Sequence, residues 1–192
     1  GCGVDESGTA KAGMGVAAAD IDDDSDVDIL VVNLEGQSDS LFRNAGSWFD
    51  DATGKVGLNV VSRRFTRFGV VFADFDNDGW LDLYQANGAV SHIPGQTGDP
   101  FAEPNVLYRN IEGRFELVTP EGGTAEPQVH TSRGLAVGDV DNDGGLDLLV
   151  VNRDAAPYLL MNRLDSRGNW IRFRVITSDG RDAHAATVSI DF

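Results

Sequence analysis

The chain alternates short apolar runs with acidic clusters, and it does so three times. Residues 15–33 read GVAAADIDDDSDVDILVVN, residues 69–87 GVVFADFDNDGWLDLYQAN and residues 134–152 GLAVGDVDNDGGLDLLVVN. In each copy an apolar run meets carboxylates at alternate positions, and a second apolar run then closes on Asn. Apolar runs this short, flanked by turn residues, predict strands rather than helices.

The pattern continues beyond the acidic loops. In the first unit, residues 14–19, 27–33, 41–44 (LFRN) and 48–53 (WFDDAT) predict four strands separated by turns. The second unit repeats them at 68–73, 81–87, 107–110 (LYRN) and 115–119 (FELVT), with nine residues from Asn44 to Thr53 and nine from Asn110 to Thr119. Between its second and third strands lies a Gly- and Pro-rich insertion, which reads as a long loop of the kind that often carries binding function. The third unit gives 134–138, 146–152 and 159–162 (LLMN); its next stretch, 169–177 (NWIRFRVIT), alternates but lacks F-x-x-x-T, and 184–192 alternates again.

The expected fold is therefore all-β: three four-stranded antiparallel meanders, divided as 1–54, 55–120 and 121–168, with 169–192 starting a further β segment. Such a meander cannot bury both faces alone, and units stacked radially make the blades of a β-propeller. The loops are spaced 54 and then 65 residues apart, which is blade-sized. Propellers close with typically 4–8 blades, so further blades of the same protein are expected.

The acidic loops carry the chemistry. Asp stands at relative positions 1, 3, 5 and 9 of every copy: Asp20, Asp22, Asp24, Asp28; Asp74, Asp76, Asp78, Asp82; and Asp139, Asp141, Asp143, Asp147. Four carboxylates so close repel one another unless a cation neutralises them, and calcium accepts 6–8 oxygens in flexible geometry, whereas magnesium demands a tighter octahedron. The helix–loop–helix calcium site closes at position 12; here closure comes at position 9 between two strands. Position 7 varies in type (Asp26, Trp80, Gly145), as suits a backbone carbonyl ligand. Up to three calcium ions are expected, one per loop. Ser25 replaces the Gly79 and Gly144 of the other copies, and a Ser tolerates positive φ poorly, so the first site should be the weakest.

Net charge is −16 over 192 residues, but setting aside the twelve loop Asp leaves 19 acidic against 15 basic residues. The acidity is ligand inventory, and it argues against nucleic acid, whose phosphates attract basic patches. Cys2 is the single cysteine, so no internal disulfide forms. No apolar run reaches the ~20 residues that span a bilayer, so no membrane insertion is expected. No signal-peptide pattern opens the chain, and an export signal is expected outside it.

No catalytic residues are singled out. His92, His130 and His184 are isolated in sequence, and the carboxylates are assigned to metal. Arg63, Arg64 and Arg67 form a small basic cluster, read as a solvated turn or as a clamp for an anionic glycan. Trp48, Trp80 and Trp170 are expected in packing, with Trp80 open to exposure from within its loop.

D-x-D-x-D-G-x-x-D between two apolar strands resembles the FG-GAP (VCBS-type) repeat of integrin-α-like β-propellers. The L-[FY]-R-N and F-x-x-x-T continuation resembles the ASPIC/UnbV-associated branch, and Asn169 and Trp170 with the following GRDAHAATV resemble the start of that domain, with Ala185 where the family usually has Gly. The resemblance implies a seven-bladed propeller, calcium held by the four Asp of each loop and the carbonyls of Asp26, Trp80 and Gly145, and an extracellular, cell-surface or periplasmic, non-catalytic module for a protein or glycan ligand. The alternative it leaves is a polysaccharide lyase or hydrolase of propeller type, or the propeller module of a larger exported enzyme.

Overall fold

The structure is a computed structural model that describes residues 4, 5, 7–165, 167–183 and 186–189. Cys2, His184 and Ala185 lie outside the described residues. Alternating apolar and β-branched residues build β1 (Gly13–Ala19), β2 (Asp28–Asn33), β3 (Ser40–Asn44) and β4 (Phe49–Asp51), an antiparallel sheet in that order. A short helix, α1 (Leu58–Val61), follows, which the strand pattern did not predict. The second sheet holds β5 (Arg67–Ala73), β6 (Asp82–Asn87), β8 (Val106–Ile111) and β9 (Arg114–Leu117), in the same up-and-down order.

The insertion is not wholly loop. Its β7 (Glu103–Pro104) pairs with β10 (Val129–His130). The third sheet comprises β11 (Ser132–Gly138), β12 (Asp147–Asn152) and β13 (Tyr158–Leu160). Here the expectation of three four-stranded units is corrected: among the described residues the third sheet has three strands. Among the described residues, an isolated bridge joins Ile176 to Asp182, beside which the Ala183 N–H donates to Val175 O at 2.9 Å, and 169–175 form no ladder. Their alternating side chains are exposed, as at Ile171 and Phe173, so nothing covers either face of a strand there.

Two apolar layers hold the sheets face to face. Ile21, Leu30, Leu41 and Ala52 of the first unit meet Val56, Leu58, Leu83, Val106, Tyr108 and Phe115 of the second. Phe75, Tyr84 and Ala86 of the second meet Leu148 and Val150 of the third. The inner strands approach backbone to backbone: a Cβ at Gly15 would overlap the Phe68 carbonyl oxygen, and one at Gly69 would stand 2.9 Å from Leu135 and 3.2 Å from the Gly134 carbonyl carbon. Each inner strand carries a register shift just before or at this glycine.

The end of the sheets away from the acidic loops is tied by buried polar groups. Asn33, Asn87 and Asn152 end the second strands, and their amides donate to Ser38 O, Pro104 O and Ala156 O. Arg67, 1% exposed, reaches across to Asp39, 0% exposed, at 2.8 Å, and Gln85 Nε2 donates to the other Asp39 oxygen at 2.6 Å. Arg67 is therefore a bolt between the first two sheets, not a member of a surface cluster. Glu103 accepts the Thr66 N–H at 2.9 Å. Burial pushes its carboxyl up to about 7, helped by Glu35 and opposed by the Thr66 N–H, Arg67 and Arg133; His130 is its cross-strand partner.

An acid whose folded pKa is raised binds its proton more tightly in the native state. Stability from Glu103 is thus present below the unfolded value near 4.5 and lost as pH rises through about 7. Glu103→Gln keeps the acceptor for Thr66 and removes the titration. Thermal melts should show the variant gaining about 1–2 kcal/mol over the parent at pH 8 and nothing at pH 4.5. Equal gains at both pH values would contradict the assignment.

Candidate metal centre

Each acidic loop joins an inner strand to the second strand of its sheet, and all three have the same hydrogen-bonded frame. The position-1 Asp accepts the N–H groups of positions 5 and 6, at 2.8–3.2 Å across Asp20, Asp74 and Asp139. The position-5 Asp accepts the N–H of position 7 in all three loops. This curl needs left-handed backbone at position 4 (Asp23 φ 60, Asn77 φ 54, Asn142 φ 60) and at position 6 (Ser25 φ 73, Gly79 φ 95, Gly144 φ 85). Asn and Asp tolerate that region and Gly adopts it freely, which explains every residue there except Ser25.

The position-9 Asp has a second task. Asp28, Asp82 and Asp147 each take the position-2 N–H on one oxygen, and on the other the N–H of Asn44 or Asn110 in the third strand, or of Asn162 two residues past β13. Asn44 and Asn110 then donate their side-chain amides to the carbonyls of Val27 and Leu81. Asn162 instead reaches Phe75 O of the neighbouring unit at 2.7 Å. These asparagines end the L-x-R-N and LLMN stretches, and their repetition was the signal in the sequence that they hold the loops.

Carboxylate oxygens gather within 4.8 Å of one another at Asp20, Asp22 and Asp28; at Asp74, Asp76 and Asp78; and at Asp139, Asp141 and Asp147. Among the described residues no histidine joins these groups. Asp24, Asp82 and Asp143 are not in the gathered sets. Asp143 is forked by Arg167, at 3.1 Å to each oxygen, which holds its carboxyl below the usual range. Asp26 and Trp80 are half-buried and Gly145 is buried at position 7.

Oδ1 of Asp22 and Oδ1 of Asp76, at the same loop position, are buried without a hydrogen-bond partner. Burial raises the carboxyls of Asp22 and Asp76 and pushes Asp82 up to about 6. Arg43 lies 3.3 Å from the other oxygen of Asp22, and Arg109 lies 2.6 Å from that of Asp76. A buried oxygen with nothing to accept is costly, and a cation held by oxygens alone is the partner this donor set fits. The oxygen donor sets present therefore fit calcium, most clearly in the first two loops with their orphaned oxygens; an arginine lies against the carboxylates of every loop, Arg43 and Arg109 in the first two and Arg163 and Arg167 beside Asp141 and Asp143 in the third.

The chain after β13 runs over these loops. Gly168 N–H donates to Asp76 O at 2.8 Å, Asn77 donates to Gly144 O, and Arg172 bonds Asn142. Trp170, 49% exposed, lies against Gly144, and Trp48 is 61% exposed; both depart from the packed positions expected of them. The basic cluster is dispersed: Arg63 bonds Asn59, Arg64 pairs with Glu121, and Arg67 is buried. His92 stands edge-on to Phe101 and His130 to Tyr158. No helix among the described residues is long and apolar enough to cross a membrane.

A repeated strand–acidic loop–strand unit in an all-β chain defines the class, and residues 20–84 match the FG-GAP-like repeat family. The chain is also similar to cartilage acidic protein 1: 29% identical to that of Mus musculus over 189 residues and 30% identical to that of Xenopus tropicalis over 190. Each match covers 92% of this chain and 27% of the relative, so the chain spans about a quarter of the length of these proteins.

Proposed function

We propose that the chain is a calcium-binding FG-GAP-type segment of a larger extracellular β-propeller that serves as a protein- or glycan-interaction module. Calcium has a structural role in this reading, held by Asp20, Asp22, Asp24 and Asp28 with the Asp26 carbonyl; by Asp74, Asp76, Asp78 and Asp82 with the Trp80 carbonyl; and by Asp139, Asp141, Asp143 and Asp147 with the Gly145 carbonyl. The observation that carries it is the orphaned, buried Oδ1 at the same position of two loops with the same frame. Extracellular calcium modules bind at roughly 10⁻⁴–10⁻³ M. Sites of that strength stay largely empty in cytosol and fill outside the cell, which supports the extracellular placement.

Equilibrium dialysis against calcium, with magnesium as competitor, tests the reading. At least two ions should bind per chain with Kd near this range, and a tenfold excess of magnesium should displace little. Binding of fewer than one ion, or equal affinity for magnesium, would remove the calcium assignment. Ser25→Gly relieves a left-handed Ser at φ 73, a strain of roughly 0.5–1 kcal/mol. The first site should then tighten by about two- to fivefold in the same dialysis, with the others unchanged.

A further inference from the structure

Every acidic loop carries a guanidinium on the same carboxylate oxygen. Arg43 Nε lies 3.3 Å from Oδ2 of Asp22, a terminal nitrogen of Arg109 lies 2.6 Å from Oδ2 of Asp76, and a terminal nitrogen of Arg163 lies 3.2 Å from Oδ2 of Asp141. These are the position-3 carboxylates of the three loops. In the second and third loops the same nitrogen also faces the position-5 Asp, at 3.2 Å from Asp78 and 3.9 Å from Asp143.

The chain reaches this arrangement from two places in the sequence. Arg43 and Arg109 stand on β3 and β8, one residue before Asn44 and Asn110. In the third unit Met161 takes that place, and Arg163, one residue after Asn162, supplies the guanidinium. A charge that is absent from one position and present two residues on follows the loop rather than the strand. It contributes little to folding, because Arg109 and Arg163 are exposed and Arg43 partly so, and ion pairs so open are weak.

What the guanidinium changes is the way a loop receives an ion. It holds Oδ2 of the position-3 Asp and leaves Oδ1, which in Asp22 and Asp76 is buried without a partner, as the one oxygen free to act as a ligand. Calcium takes a carboxylate through one oxygen or through two, and an oxygen paired with a guanidinium is not available to it. The guanidinium also sets a positive charge one carboxylate away from the cation, and like charges at that range repel. Both effects oppose binding. Resting on the calcium reading above, we propose that Arg43, Arg109 and Arg163 set the affinity of the three loops. Each withdraws one oxygen and adds repulsion, and so holds its site in the weak range that calcium fills outside the cell.

The test is a calcium titration of the 192-residue chain followed by amide NMR. The N–H groups of Gly79 and Trp80, bonded to Asp74 and Asp78, report the second loop, and those of Ser25 and Asp26, bonded to Asp20 and Asp24, report the first. Arg109→Met installs the residue that the third unit carries at this place. It should tighten the second loop by about three- to tenfold in about 0.02 M salt, and by less than about twofold in about 1 M salt, where charges act only within about 3 Å. The first loop should keep its parent Kd. Arg109→Lys keeps the charge at a site contacted by a single nitrogen, and should stay within about twofold of the parent. Arg43→Met should do the reverse, tightening the first loop and leaving the second. A guanidinium that only braced its loop would give the opposite sign, since its removal would loosen the ion. Unchanged or weakened binding in either methionine variant, or a gain as large in 1 M salt, would overturn the proposal. A parent chain that binds no calcium would remove the underlying reading and this one with it; a parent that binds, with variants that do not tighten, would remove this one alone.

Discussion

Excess chelator should lower the melting temperature by about 8–16 °C relative to saturating calcium if the proposed sites are filled. Ligand bound only to the folded state adds RT ln(1 + [L]/Kd), about 2 kcal/mol per site at thirtyfold excess over Kd. Two filled loops give about 4 kcal/mol, and for a chain of this size each kcal/mol moves the midpoint by about 2–4 °C. Magnesium at the same concentration should give less than a third of the shift. Asp76→Asn sharpens the test because its sign depends on the ion. In chelator the variant removes a buried carboxylate with an orphaned oxygen and eases repulsion from Asp74 and Asp78, so it should melt no lower than the parent. The Arg109 contact it weakens involves a half-exposed guanidinium and adds little. In calcium the same variant loses a ligand charge and should melt lower. A variant that is destabilised equally in both conditions would make Asp76 a turn residue and nothing more.

Arg67→Ala should cost about 3–5 kcal/mol and be the most damaging single change at the end of the sheets away from the loops. It strands Asp39, 0% exposed, without its countercharge, and a buried charge left unpaired costs about that much. Burial already pushes the Asp39 carboxyl up against the pull of Arg67 and Gln85, so the variant should take up a proton there. Replacing both partners, Arg67→Met with Asp39→Leu, should recover most of the loss in urea unfolding, because the pair is attractive chiefly relative to its broken halves. Failure of the double variant to recover would mean that Gln85 and Gln37, which also bond this pair, carry the stability. The loss should appear with and without calcium, since the bolt and the acidic loops lie at opposite ends of β5.

These two results separate what short-range pattern reveals from what it hides. The strands and loops were legible because each depends on residues within a few positions: alternation for β2 and β6, and Asp at fixed spacing for the curl. The positive φ at Ser25 was legible for the same reason. Arg67 was misread as part of a surface cluster with Arg63 and Arg64, because its partner Asp39 is 28 residues away and its burial is a property of two stacked sheets. Trp48 and Trp170 were misplaced likewise, since nothing local says which face of an edge will be covered. Residues 169–175 alternate as a strand should, yet alternation cannot supply a neighbour to pair with. The approach of Arg43 and Arg109 to the acidic loops was likewise hidden, because each Arg sits on a third strand and meets its carboxylates only across a hairpin.

Gly15 lets its strand approach the Phe68 backbone of the next inner strand, and Gly69 lets its own approach the Gly134 backbone and the Leu135 side chain. Sheets fanned from a common edge diverge with distance from it, so the spacing at that edge, taken with side-chain thickness further out, sets a wedge angle. The wedge angle in turn sets how many such wedges complete a circle. A methyl group added at either position would widen the narrow end while leaving the broad end unchanged, making each wedge slimmer and a full turn larger. In the proposed propeller, two residues without side chains would thereby act on the count of units in the ring.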